Sequence, residues 1–367
     1  MKKFFSLLST VCLSTYFLIS CQSNTVTSNI KTKIDTPQVR KIKDTISVTA
    51  VGDIMLGSTF PTKGNLPPDD AINSFDAVSN FLKGDIVFGN LEGCFLNSGS
   101  SSKCKGINPN NCYVFRMPDR YGKIIKNAGF NVLSIANNHV GDFDTKGRKN
   151  TARVLDSLQI KYAGQLDKPF DIFEIDNIKY AFCAFAPNEN TVSIIDINKA
   201  KLLVAELKKQ ADIIIVSFHG GGEGAEFEHV TRKTEMFYTE NRGNVYAFAH
   251  GVIDAGADVV LGHGPHVTRA VEVYKNKFIA YSLGNFCTYG MFNLKGSNGY
   301  APLLQIKLNA KGDFLYADVI SIKQDKINRL TLDKNQTAFN KIQSLTSIDF
   351  PENKLKFENN KIYLEDK

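Results

Sequence analysis

The sequence predicts an α/β fold, with buried strands alternating with helices and a site assembled at the strand ends. Three stretches carry that prediction. Residues 132–136, 211–218 and 258–261 are short apolar runs, and each is followed by a polar loop. The loops read Asn137-Asn138-His139, His219-Gly220-Gly221-Gly222-Glu223 and Gly262-His263-Gly264-Pro265-His266, so four of the six histidines fall just past a strand. Neutral imidazole is a common ligand for transition metals, and α/β folds gather their ligands at the carboxyl edge of the sheet.

The 367 residues suffice for one large domain or two modest ones. The net charge of +7 is scattered, and no basic cluster interleaves with aromatics, so no nucleic-acid partner is expected. Lys2 and Lys3 precede an apolar run, 4–19, that is short for a membrane span. The run ends Leu18-Ile19-Ser20-Cys21, which resembles a bacterial lipobox. That resemblance implies cleavage before Cys21 and acylation of its thiol. An ordinary secretory signal with an incidental cysteine is the alternative. Both predict export, and the first predicts a bacterial membrane lipoprotein facing the periplasm or the cell surface. The expected organisation is a signal peptide at 1–20, a polar tether at 21–45, a folded domain at 46–324 and an extension at 325–367.

Export permits disulfides. Cys94, Cys104 and Cys112 lie in or beside one Ser/Gly/Asn-rich loop. One local bridge is expected there, with Cys104–Cys112 favoured, and Cys183 reads as a buried thiol. No Cys-x-x-Cys pair exists to build a cysteine zinc cage.

In chain order, residues 46–51 alternate like a strand and turn out at Gly52-Asp53. Asp53 is either a metal carboxylate or a turn residue capping its own backbone. A helix is expected over 69–82, then a strand at 85–88 ending in Gly89-Asn90-Leu91-Glu92-Gly93. Glu92 is either solvated or a partner of Asp53 and His139. Residues 94–112 read as a surface loop near the mouth of the site. Helices are expected at 118–126, 145–158 and 197–209. Hairpins are expected at 170–186, turning at Asp176-Asn177, and at 271–281, turning at Lys275-Asn276. The glycines at 220–222 offer close backbone approach to a ligand and unhindered N–H donors. His229 and His250 read as structural or surface residues, and Arg269 as either an anion contact or a surface ion pair. Residues 282–286, Ser-Leu-Gly-Asn-Phe, form another strand-end loop. Strands at 301–308 and 314–322 close the pattern, and little periodicity remains beyond 325.

Asp53, Glu92, Asn138, His139, His219, His263 and His266 form a mixed carboxylate, amide and imidazole set. Such a set suits Zn, Mn or Fe better than Ca or Mg. It exceeds what one ion needs, so two ions clamping a hydroxide become feasible, with a non-ligand histidine as proton donor. No Ser nucleophile competes, since Ser282 lacks the Gly-x-Ser-x-Gly elbow.

Six motifs in this order resemble the CapA, or poly-γ-glutamate capsule biosynthesis, family: Gly52-Asp53-Ile54-Met55-Leu56-Gly57, Asn90-Leu91-Glu92-Gly93, Asn137-Asn138-His139, His219 with Glu223, Gly262-His263-Gly264-Pro265-His266, and Tyr281-Ser282-Leu283-Gly284-Asn285-Phe286. That family is similar in turn to calcineurin-like metallophosphoesterases. The resemblance implies a four-layer α/β/β/α sandwich with one or two divalent ions. It implies metal ligation by Asp53, Glu92, Asn138, His219, His263 and His266, and general-acid catalysis by His139. Asn137, Glu223, Arg269 and Asn285 would contact substrate. Met55 stands where the phosphoesterases commonly carry a histidine two residues after the first Asp, and a thioether is a poor ligand for a hard ion. The final histidines are three apart rather than two, with Pro265 between them.

The implied activity is metal-dependent hydrolysis on an anionic envelope polymer or its phosphorylated precursor. A non-catalytic capsule assembly or export subunit, working with synthase and export partners, is the alternative. A polymer-binding anchor on the membrane is a third reading.

Overall fold

In the first strand, β1 (Thr45–Met55), the side chains of Ile46, Val48 and Ala50 are buried on one face. The computed structural model describes residues 43–105, 112–325 and 329–365; the expected signal peptide, Cys21 and nearly all of the tether lie outside the described residues.

After β1 come β2 (Ile86–Leu91), β3 (Cys94–Phe95), β4 (Arg116–Met117), α1 (Tyr121–Asn127), β5 (Val132–Ser134), α2 (Asp144–Ser157) and β6 (Lys161–Ala163). The middle of the chain forms β7 (Phe170–Ile175), β8 (Ile178–Phe185), α3 (Ile197–Lys208) and β9 (Ile213–His219). A small hairpin of β10 (Met236–Phe237) and β11 (Glu240–Asn241) precedes α4 (Val245–Asp254) and β12 (Val259–His263). There follow β13 (Val271–Tyr274), β14 (Lys277–Ala280), β15 (Asn285–Thr288), β16 (Tyr300–Asn309) and β17 (Phe314–Asp325). The last elements are β18 (Arg329–Leu332), α5 (Thr337–Asp349), β19 (Leu355–Glu358) and β20 (Lys361–Leu364).

Two large sheets result. The first runs β19-β20-β17-β16-β1-β2-β5-β6, with β15 beside β1 and β18 beside β17. The second runs β13-β14-β12-β9-β8-β7. Their inner faces share one core, in which Ile46, Val48, Ile86 and Phe88 meet Phe182, Ile213, Ile215, Val259, Leu261 and Phe278. The outer face of the first sheet, with Val51, Ile54 and Val87, is covered by Tyr121 and Ile125 of α1 and Val154 and Leu155 of α2. The outer face of the second, with Ile214, Val216 and Val260, is covered by Val204 and Leu207 of α3 and Phe248 and Val252 of α4. Helix, sheet, sheet and helix stack in four layers, the sandwich expected from the resemblance. Asp196 and Asn244 cap α3 and α4 by accepting from the backbone N–H of Lys199 and Ala247.

Three local expectations are corrected. The helix expected at 69–82 is a run of turns with a single 3₁₀ turn at Asp76–Val78. Asp70 and Ala71 take positive φ values of 53° and 66°, which an α-helix does not tolerate. The apolar spacing there was genuine, because Ala71, Phe75, Val78 and Leu82 are all buried. The expected 94–112 loop begins inside the fold, since Cys94 is buried and β3 pairs in parallel with β4. The Cys104–Cys112 disulfide forms, while Cys94, Cys183 and Cys287 are buried thiols. Residues 329–365, expected only as an extension, join the fold: β20 pairs with β17, and Phe339, Ile342 and Ile362 enter the core between the sheets.

Candidate metal centre at the strand ends

The inner-face rows of the strands change character as they reach their carboxyl ends. On β2 the row Ile86, Phe88 continues into Asn90 and Glu92; on β9, Ile213 and Ile215 continue into Ser217 and His219; on β12, Val259 and Leu261 continue into His263. Alternate residues share a face, so an apolar floor rises into a polar rim without a turn. His219 and His263 are direct partners across the parallel β9–β12 pair.

Asp53 reaches the same rim through an irregularity. Ala50 pairs with Phe88, but three residues later Asp53 pairs with Asn90, two residues on. The extra residue in β1 moves Asp53 onto the row that Val48 and Ala50 began. Gly52 sits at this step, and a Cβ there would lie 1.9 Å from the Gly284 carbonyl oxygen. The Asp53 N–H donates to that same oxygen at 2.9 Å. Met55, past the irregularity, is buried in the core under α1 and α2, and its sulfur accepts from the Gly57 N–H at 3.3 Å. It therefore turns away from the rim.

Asp53 and Glu92 are 1% and 0% exposed. Asn90 Nδ2 bridges them, donating to Asp53 Oδ1 at 2.8 Å and to Glu92 Oε2. His266, held at a positive φ of 57°, places Nδ1 2.8 Å from Asp53 Oδ2. Burial opposes ionisation of Asp53, but the His266 hydrogen bond and charge outweigh it and hold the carboxyl below its ordinary range. Burial also works against the charge on His266, and Asp53 reverses that, raising the imidazole above its ordinary value. Burial and then the Asp53 charge push Glu92 up. Burial, helped by the Arg242 charge, drives His219 down to about 3, and burial lowers His263 as well. Both are neutral at physiological pH, the form that offers a lone pair.

Glu92, His219 and His266 each bring a ligand atom to within 4.8 Å of the others, a grouping that could hold one ion. Among the described residues, seven buried side-chain atoms without a hydrogen-bond partner lie at these strand ends: Glu92 Oε1, Asn138 Oδ1, Ser217 Oγ, His219 Nδ1 and Nε2, His263 Nδ1 and Asn285 Oδ1. Buried polar atoms are normally satisfied, and an orphaned one costs about 1–3 kcal/mol. His263 Nε2 lies 3.2 Å from the Val51 carbonyl oxygen, to which its N–H donates, leaving Nδ1 as the lone-pair nitrogen. A metal-bound histidine characteristically hands its other N–H to such an acceptor. The donor set therefore fits a divalent cation.

His139 stacks on Phe115 at 4.0 Å, and its Nδ1 lies 2.8 Å from Asp142 Oδ2. Asp142 is buried and also accepts from the Phe115 N–H at 2.7 Å and from Lys103 Nζ. Lys103 reaches in from beside the disulfide, 3.3 Å from His139 Nδ1 and 3.1 Å from the Asn138 carbonyl oxygen. An Nδ1–H directed at Asp142 leaves Nε2 to exchange a proton with substrate.

Of the groups expected to touch substrate, Arg269 and Asn137 are committed elsewhere. Arg269, 1% exposed, forks onto Glu235 at 3.0 and 2.7 Å and donates through Nε to the Phe227 carbonyl. Asn137 Nδ2 donates to Asn90 Oδ1 and the Leu91 carbonyl, while its Oδ1 accepts from the His139 and Val140 N–H groups. It fixes the loop that carries His139. Asn285 donates to the His266 and Asn298 carbonyls and keeps only Oδ1 unpartnered. Glu223 lies 3.1 Å from Arg242 Nη2. The glycines ahead of it do not form a free donor nest: Gly220, Gly221 and Gly222 donate to the His263 carbonyl, the Arg242 carbonyl and Glu235. His229 and His250 pair with Asp349 and Glu272.

Asn90, Asp142, Lys103 and Arg242 were not singled out from the sequence. Asn90 was visible as the residue between Phe88 and Glu92 on one alternating row, and Asp142 as an acid three residues past His139. Nothing in the sequence around Lys103 or Arg242 marks either one.

A family model described as "Bacterial capsule synthesis protein PGA_cap" matches residues 47–289. The capsule biosynthesis protein CapA of Bacillus anthracis is 29% identical over 279 residues, covering 70% of this chain and 63% of that protein. The PGA biosynthesis protein CapA of Bacillus subtilis strain 168 is 28% identical over 274 residues, covering 69% of this chain and 66% of that protein. This chain thus spans less than two thirds of the length of either relative. Among solved structures, a putative 5′-nucleotidase from Staphylococcus aureus superposes with a TM-score of 0.42 at 14% identity, covering 79% of this chain and 53% of that one.

Proposed function

The chain belongs to the bacterial capsule synthesis protein PGA_cap family, and from that premise we propose that it is a membrane-tethered capsule biosynthesis protein with a metal-dependent hydrolase site at its strand ends. Its substrate would be an anionic envelope polymer, such as poly-γ-glutamate, or a phosphorylated precursor. Cys21 would carry the lipid anchor, with the folded domain facing the periplasm or the cell surface. Capsule synthase and export subunits are the partners this role calls for.

One observation carries the hydrolase reading: unpartnered buried oxygens and imidazole nitrogens line the strand ends, and Glu92, His219 and His266 bring ligand atoms within 4.8 Å of one another. Asp53, Glu92, Asn138, His219, His263 and His266 would hold one or two ions, Mn, Zn or Fe by the chemistry of the donors. When bound, such ions supply Lewis acidity and lower the pKa of water. The chain supplies the rest. Asn90 keeps the two buried carboxylates apart and oriented, and Asp142 fixes the ring of His139. His139 then delivers a proton from Nε2 to the leaving group. Phe115 and Phe292, stacked at 5.0 Å, wall the His139 side against water.

Metal analysis of the purified full-length chain, paired with its His219→Ala, His263→Ala double variant, tests this reading. One or two ions per wild-type chain and none in the variant are expected. A folded wild-type protein that stays metal-free in a metal-replete medium would overturn it. A second reading, a non-catalytic assembly subunit, is favoured by Met55, which takes one expected ligand away from the rim. Under it, His139→Ala leaves polymer output unchanged; under the hydrolase reading that substitution abolishes it.

A further inference from the structure

Among the acids at the rim, Glu223 is the one a ligand can reach: its side chain is 23% exposed, whereas Asp53 and Glu92 are buried. Its loop has little freedom. Gly220 donates to the His263 carbonyl at 2.8 Å, and Gly224, just past Glu223, donates to the Pro265 carbonyl at 2.9 Å. Both anchors lie on the segment that carries His263 and His266, so Glu223 is fixed relative to those imidazoles.

Arg242 stands behind it. This guanidinium is 1% exposed, with Nη2 3.1 Å from Glu223 Oε1 and Nη1 2.8 Å from Glu240 Oε2. Asn188 Nδ2 donates to the other Glu240 oxygen at 2.8 Å. Arg242 Nε and Nη2 have no aligned hydrogen-bond acceptor, so the contact with Glu223 is an ion pair rather than a closed fork. Two acids share one cation, so Arg242 cannot neutralise both Glu223 and Glu240. Glu223 keeps hydrogen-bond accepting capacity that Arg242 does not use.

We propose that Glu223, anchored by Arg242, is a specificity determinant of the metal site: it accepts a hydrogen bond from an N–H or O–H group of the substrate and repels a phosphate dianion. The assignment rests on the metal-site reading of the preceding section. Specificity is a difference between affinities, and a fixed charge that repels the wrong ligand contributes as much as a contact that holds the right one. A carboxylate beside the ions weakens a dianion, whereas a hydroxamate or amide offers it a donor.

The test uses the full chain loaded with Mn²⁺ or Zn²⁺, with metal content measured first, and compares wild type with Glu223→Gln. The change is nearly isosteric: it removes the charge and replaces one acceptor oxygen with an NH₂ donor. Inorganic phosphate and acetohydroxamate are the calorimetric probes. Glu223→Gln is expected to bind phosphate about tenfold tighter or more and acetohydroxamate no tighter than wild type does. Phosphate affinity that is equal, weaker, or absent in both proteins overturns the assignment, as does equal tightening for both probes. Metal uptake with unchanged phosphate affinity defeats this assignment alone. Failure of both proteins to take up metal defeats the metal-site reading and this assignment with it.

Discussion

His219 has no aligned hydrogen bond at either ring nitrogen, although Nε2 lies 3.5 Å from Glu92 Oε1; it has almost no solvent contact, and burial holds it neutral. That combination is destabilising unless something completes it. His219→Ala should lower the affinity for Mn²⁺ or Zn²⁺ by at least the 10–100-fold typical of losing an outer partner, measured by calorimetry. His139→Ala should leave metal content intact and reduce any hydrolytic rate by about 10²–10⁴, measured as kcat on a chromogenic ester or amide. Asp53, Glu92 and the histidines were legible because each follows a strand-like run directly. Of the two readings of Arg269, the ion pair forms, but buried rather than at the surface, because Glu235, which binds its guanidinium, lies 34 residues upstream with no hint among the sequence neighbours. Arg242 was missed because Glu223, which it meets at the rim, lies 19 residues upstream, and Glu240, two residues before it, marks no site by itself.

Asp85, at the entry to β2, ties two strands together. It accepts from the Ser47 N–H at 2.7 Å, from Ser47 Oγ at 2.9 Å and from Lys43 Nζ at 2.7 Å. Burial opposes its charge, but these partners prevail and its pKa is lowered. A carboxyl with a lowered folded-state pKa gives stability that is complete above its unfolded value of about 3.9. That stability is lost as pH falls through the folded value. Asp85→Asn should therefore flatten the acid limb of the stability curve below about pH 5, as urea midpoints at successive pH values would show. An unchanged limb would remove Asp85 from the account. The long strands β1, β2, β7, β8, β9, β12, β16 and β17 were legible from their apolar runs or alternation, and the hairpins from turn residues, as at Asp176-Asn177 and Lys275-Asn276, where both residues take positive φ. The elements after 325 were not, because α5 buries a narrow face, Ala338, Phe339, Ile342 and Leu345, amid Asn, Gln and Lys. A chain truncated at residue 324 loses that face and β20. It should fail to unfold cooperatively, and calorimetry should find no sharp transition.

At the scale of the molecule, two sheets meet along one apolar core, and the polar rim exists because five strands end at the same edge: β1, β2, β5, β9 and β12. The layer order followed from the family resemblance more than from periodicity, since which sheet a strand joins depends on pairings between distant residues. Ions that bind the folded chain alone should stabilise it by about 2.7 kcal/mol at a concentration one hundred times Kd. The most direct measurement is anomalous diffraction at the absorption edge of the bound metal, from crystals of the purified protein. The account predicts one or two peaks in coordination contact with His219, His263, His266, Glu92 and Asp53. A metal-soaked crystal with no peak among those side chains would contradict it.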